Sequence, residues 1–127
     1  MQRRDINAAD APAPAGQYTQ AIEVTGATRT LYVSGQVGVA ADGSIPDDAE
    51  AQTALAWRNM QAQLRAAGMG IENLVKITTI VRDRADTAAV RAGRAAVLGT
   101  RKPASTLIIA GLSNPAWRVE VEGIAVA

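Results

Sequence analysis

The sequence predicts a small α+β domain, with two amphipathic helices covering one face of a single sheet. Three observations lead there. Short β-rich runs alternate with two longer segments of helical periodicity. The length of 127 residues suits one domain spanning 1–127 with a single core. The run order reads β-β-α-β-α-β-β, with every element short.

Residues 8–16 are rich in Pro and Ala and suit an extended lead-in. Tyr18–Val24 reads as a strand, and Thr30–Ser34 as a second, so the two suggest a hairpin turning near Gly26. Asp42-Gly43 marks a tight turn, not half of a metal loop. Asp47 or Asp48 can cap a helix running to Ala67. Within it Trp57, Met60, Leu64 and Ala67 share one face and read as core. Gly68 is placed to end that helix in the left-handed conformation.

Leu74–Val81 is the third strand, with Val75, Ile77, Thr79 and Val81 on one face and Lys76, Thr78 and Ile80 on the other. Asp83 fits a turn or cap. Asp86 can cap a second helix to about Leu98, in which Gly93 costs about 1 kcal/mol relative to Ala. Ser105–Ile109 and Arg118–Val126 supply the remaining strands. Ile80, Ile108, Ile124 and Val126 lie on the sheet's second face, which two helices cannot also cover. Self-association is the simplest remedy.

Composition removes several kinds of chemistry. The chain has no Cys and no His. Disulfides, a thiolate nucleophile, the usual zinc sites and a Ser-His-Asp relay are therefore out of reach. Acid–base work falls to Asp, Glu, Tyr, Lys or a positioned water. Thirteen basic residues balance twelve acidic ones, for a net charge of +1, which argues against a dedicated nucleic-acid binder. No apolar run is long enough to span a membrane, and the polar N-terminus carries no secretory pattern, so a cytoplasmic location is expected.

Six segments, in order and spacing, resemble the Rid (YjgF, L-PSP) family. Ala15-Gly16-Gln17-Tyr18-Thr19-Gln20-Ala21-Ile22 is similar to its "GPYSQAI". Val33-Ser34-Gly35-Gln36 is similar to its "SGQ". Gln52-Thr53, Asn59, Leu64 and Ala67-Gly68 resemble its first helix; Lys76-Ile77-Thr78 and Asp83 resemble its central strand. Lys102-Pro103-Ala104 is similar to "RPA", and Val119-Glu120-Val121-Glu122-Gly123-Ile124-Ala125 to "VEIEAIA". The resemblance implies a chorismate-mutase-like homotrimer with a small-molecule ligand in clefts between subunits. It implies imine or enamine hydrolysis with no metal or organic cofactor, because a protonated imine is already electrophilic.

Site residues carry over one by one. The resemblance places Tyr18 over the cleft, Ser34, Gly35 and Gln36 along it, and Glu120 beside the hydrolytic water. A strand Tyr at an interface and a Glu bridging subunits, through Arg118 or Arg101, are the plainer alternatives. Glu122 fits an interface carboxylate better. Glu120 and Glu122 share a strand face with Ile124 and Val126, where a carboxylate is costly unless it has a partner or a task.

The chain departs from the family at one telling place. Deaminating members carry an Arg directly after Pro-Ala, gripping the substrate carboxylate. Here Pro103-Ala104 runs into Ser105-Thr106, whether by replacement or by deletion of the Arg. Ser105 offers one hydrogen bond and no charge. Arg101 and Lys102 lie just upstream, and Arg91 stands near the place of an Asn often found in the second helix. Two readings stay open: a divergent Rid protein that binds an imine-, enamine- or carbonyl-bearing metabolite without the deaminase arginine, or an active 2-imino acid deaminase using another cation. An endoribonuclease label attached to some relatives fits the balanced charge, scarce aromatics and absent His poorly.

Overall fold

A computed structural model describes all residues 1–127. Its elements are β1 (Gln2–Ile6), β2 (Ala21–Thr25), β3 (Thr30–Val37), α1 (Ala49–Ala66), β4 (Leu74–Val81), α2 (Thr87–Leu98), β5 (Ala104–Ile109) and β6 (Val119–Val126). The main sheet has the order β3-β6-β4-β5. Its β3–β6 and β6–β4 pairs are antiparallel, whereas β4 and β5 run parallel. That parallel pair needs a long crossover, and α2 supplies it.

The N-terminal region differs from the expected hairpin. Tyr18–Val24 and Thr30–Ser34 do not pair with each other. Instead β2 pairs with an additional strand, β1, as a separate two-stranded ribbon. In β1, Gln-Arg-Arg-Asp-Ile has one large apolar residue, so no alternation announces it. Backbone pairing and the cross-strand Arg4–Glu23 ion pair at 3.1 Å hold it. Arg3 anchors the ribbon to the main sheet through the carbonyls of Leu74 and Lys102.

Helix α1 starts where Asp48 accepts a 2.7 Å hydrogen bond from the Ala51 amide, as an N-cap aspartate should. It ends before Gly68, whose φ is 68°. Its inward stripe buries Ala56, Trp57, Met60 and Leu64. These pack on Ile77, Val81, Val119, Val121 and Ala125 to form the core. A register shift between Leu74 and Lys76 turns Leu74 inward in place of Val75. Asp42 closes its turn by accepting from the Ser44 hydroxyl and amide at 2.7 and 2.9 Å, and these bonds hold its carboxyl below the usual range.

Helix α2 buries Val90, Arg94 and Leu98, spaced four apart. Gly93 has a packing reason: a Cβ there would lie 2.5 Å from the Thr53 methyl on α1. Asp86 does not cap α2 with its side chain. Its carboxylate pairs at 3.1 Å with Arg118 instead. Both helices lie on one side of the sheet. The other side shows an exposed Tyr32 and a partly exposed Ile108.

Candidate functional site

The side chains expected in the site form two groups in the chain. The first lies at the β5 edge. Thr19 forms a parallel bridge with Ala104 and donates from its hydroxyl to the Lys102 carbonyl at 2.6 Å. The Gln17 side chain donates to the Gly99 carbonyl. These contacts hold residues 15–18 alongside the start of β5 and the outer part of α2. The cavity they enclose is about 660 Å³ and is lined by Gln17, Tyr18, Arg91, Arg94, Ser105 and Leu107, among others. The Tyr18 hydroxyl accepts from the Ala15 amide at 3.2 Å, which fixes the ring over Gly16.

The second group lies two strands away, on the uncovered face. Between Val33 and Gln36 the register with β6 shifts, so β3 carries an extra residue there. This bulge places Gly35 directly under the Glu120 carboxylate. A Cβ on Gly35 would fall 1.9 Å from the Glu120 Oε1. Ser34 lines a second depression of about 450 Å³ with Tyr32, Lys76, Thr78 and Glu122. The Gln36 side chain donates to the Ser34 carbonyl at 2.9 Å and stiffens the bulge.

Besides Ser34, Gly35 and Gln36, two further expected ligand residues lie outside the Ser105 cavity. Thr106 alternates with Ser105 along β5 and faces the uncovered side, where Lys76 Nζ donates to its hydroxyl at 2.8 Å. Arg101 is exposed in the turn before β5 and does not line the cavity. Nor is Arg118 free to meet Glu120 within the chain: it binds Asp86, and its Nε donates to the Asp47 carbonyl at 2.7 Å.

One cavity residue escaped the sequence reading. Arg94 is only 8% exposed, its Nε has no hydrogen-bond partner, and no ion pair includes it. Burial first, and the nearby positive charge of Arg91 second, lower its pKa from the ordinary arginine value. The available signal was an arginine interrupting the apolar stripe of the second helix, between Val90 and Leu98.

The fold and these segments define a class of small α+β proteins with two helices on one face of a mixed sheet. A family model described as Endoribonuclease L-PSP matches residues 8–127. The chain belongs to this Rid/YjgF/L-PSP family. It is 35% identical to the 2-iminobutanoate/2-iminopropanoate deaminase of Capra hircus over 128 residues, covering 99% of this chain and 91% of the relative. The Rid-family protein YyfB of Yersinia pestis superposes with a TM-score of 0.82 at 28% identity, covering 100% of both chains. RidA of an Antarctic Psychrobacter superposes with a TM-score of 0.73 at 29% identity, covering 98% of this chain and 99% of that one. No helix is long and apolar enough to cross a membrane.

Proposed function

We propose that this protein hydrolyses a small 2-imino acid to the corresponding 2-oxo acid and ammonia, in clefts shared between copies of a homotrimer. The observation that carries the reading is the Glu120 carboxylate seated on Gly35 at the β3 bulge. A glycine and a bulge are spent on giving one carboxylate room, on a face with no other acid beside it but Glu122. The deaminase name of the 35% identical Capra hircus relative supports the same reaction class.

The chemistry follows from the residues present. A water hydrogen-bonded to Glu120 gives up a proton as its oxygen attacks the imine carbon. The C=N π pair moves to nitrogen, which takes up the proton that Glu120 received from the water. The resulting tetrahedral carbinolamine then collapses: its hydroxyl proton passes through the Glu120 carboxylate to the amine nitrogen, the carbonyl forms, the C–N bond breaks and ammonia leaves. Oxygen enters from water and nitrogen departs, so the sum is imine plus water to ketone plus ammonia. With no His or Cys in the chain, a carboxylate is the natural base near neutral pH. Tyr18 forms a wall of the cavity that receives the substrate.

The geometry of the single chain supports a shared cleft. Ser105 lies on the helix side of β5 with Leu107, whereas Glu120 projects from the opposite side of β6. With β4 between them the strands are about 10 Å apart. One short ligand cannot touch both groups in one chain, but it can where the β5 edge of one copy meets the uncovered face of another. The exposed Tyr32 and Ile108 give that face a reason to be covered.

The test generates 2-iminobutanoate in situ with an amino-acid oxidase and follows its disappearance with and without the protein. Wild type accelerates the loss. Glu120→Gln slows turnover at least about 100-fold, while sedimentation equilibrium still gives three times 13.2 kDa. Equal rates for wild type and variant, or an active monomer, overturn the reading. A second reading, ligand binding without turnover, is favoured by Ser105 standing where deaminating relatives carry a cation. It predicts tight binding of 2-oxobutanoate with no acceleration in this assay.

A further inference from the structure

We infer that Arg94, aided by Arg91, is the cation that grips the substrate carboxylate, so that the charge absent from the start of β5 is supplied from α2. The inference rests on the reading of the cavity as the substrate half-site.

Four observations carry it. Arg94 sits on the inward stripe of α2, more than nine-tenths buried, where an apolar residue would serve packing better. Its guanidinium is unpaired, although Arg3, Arg4, Arg82 and Arg118 each meet a carboxylate. The cavity it lines contains no acidic residue and holds a second arginine, Arg91, one helical turn earlier. Ser105, at the point where the family places its arginine, lines the same cavity. Two guanidinium groups and a serine hydroxyl around one space form a donor set with nothing in the chain to accept from it.

Physical chemistry then selects the ligand class. A guanidinium whose Nε is buried without a partner is costly, and a second cation beside it raises that cost. An anion entering the cavity relieves both at once. The planar guanidinium suits a carboxylate, which can accept two parallel hydrogen bonds. Ser105 can donate a third. A neutral ligand gains none of this relief, so the cavity should discriminate by charge more than by shape. The expected substrates are short 2-imino monocarboxylates and their 2-oxo products, with the reacting carbon turned toward Glu120 of a second copy.

The test compares 2-oxobutanoate with its neutral amide, 2-oxobutanamide, by calorimetric titration of the full-length protein. Wild type should prefer the carboxylate. Arg94→Met should weaken carboxylate binding at least about 30-fold and leave amide binding unchanged. Arg91→Gln should weaken it less, by about three- to tenfold. In the 2-iminobutanoate assay, Arg94→Met should act mainly by raising KM. Should Arg94→Met not fold, Arg94→Lys serves in its place: it keeps the charge, loses the planar fork and should bind carboxylate about tenfold more weakly. An unchanged preference in the folded Arg94 variant, or equal binding of both probes by wild type, overturns the inference. The two readings fail separately. Full turnover by Arg94→Met removes Arg94 from substrate binding but leaves imine hydrolysis standing. Arg94-dependent carboxylate binding without turnover upholds the site and overturns the hydrolase.

Discussion

Gln52 on α1 and Arg94 on α2 make an instructive pair. Each is a long polar side chain on an inward stripe, and each is almost fully buried. Their surroundings are opposite. The Gln52 amide donates to the carbonyls of Pro46 at 2.8 Å and Ala116 at 3.0 Å, and its oxygen accepts from the Arg118 amide at 2.8 Å. Three loop groups that would otherwise be orphaned are satisfied by one side chain. Arg94, by contrast, satisfies no group in the chain and has its own Nε unmet. A buried polar residue with every bond made serves the fold. One with none made, facing a cavity, is positioned for something that comes from outside.

The largest stability effect is expected at Gln52. Gln52→Leu keeps the volume and leaves two carbonyls and an amide without partners. At about 1–3 kcal/mol for each buried group, with some rescue by water, the loss should reach about 3 kcal/mol, or a Tm lower by about 10 °C. Arg94→Met should move the other way or not at all, because a matched apolar side chain replaces an unpaired charge. Thermal unfolding of both variants in the same buffer decides this. A large loss at Arg94, comparable to that at Gln52, would make it a structural residue and erase the contrast.

A second measurement sharpens the functional side. Gly35→Ala adds a methyl where the Glu120 carboxylate lies, and the carboxylate is the mobile end of its side chain. It can therefore swing away cheaply. Stability should change by less than about 1 kcal/mol, while turnover of 2-iminobutanoate should fall at least about tenfold if the proposed role of Glu120 in orienting water holds. Stability loss without activity loss would assign Gly35 to packing alone.

The smallest effect belongs to an ordinary capping residue. Asp48→Ala removes the 2.7 Å bond to the Ala51 amide and should cost about 1 kcal/mol, read from urea unfolding, with no change in carboxylate binding. It sets the scale of a purely structural loss against which the Gln52 and Gly35 variants are judged.

Much of this architecture was readable from local sequence. Leu74–Val81 has the limits its alternation predicts, and the span and final glycine of α1 follow from Asp48, the Trp57–Met60–Leu64 stripe and Gly68. Such elements carry their own signal, because a period of 2 or 3.6 is written in adjacent residues. The candidate site was half legible. Tyr18, Gly35 and Glu120 stood out through their resemblance to the family, and the loss of charge at Ser105 was plain from one missing residue.

Partnership, by contrast, was settled by packing. Strand pairing depends on which chain segments meet, and nothing in Thr30–Ser34 says that its neighbour is the C-terminal strand and not the run just before it. The polar Gln2–Ile6 becomes a strand because β2 offers it a backbone edge, not through its own pattern. Arg94 follows the same logic. A helix stripe shows which residues share a side, but its sequence does not say whether an arginine there will meet a carboxylate from elsewhere in the chain. Only the packed arrangement leaves Arg94 buried beside Arg91 and Ser105 with no acid in reach, because charge compensation depends on the neighbours that folding brings together.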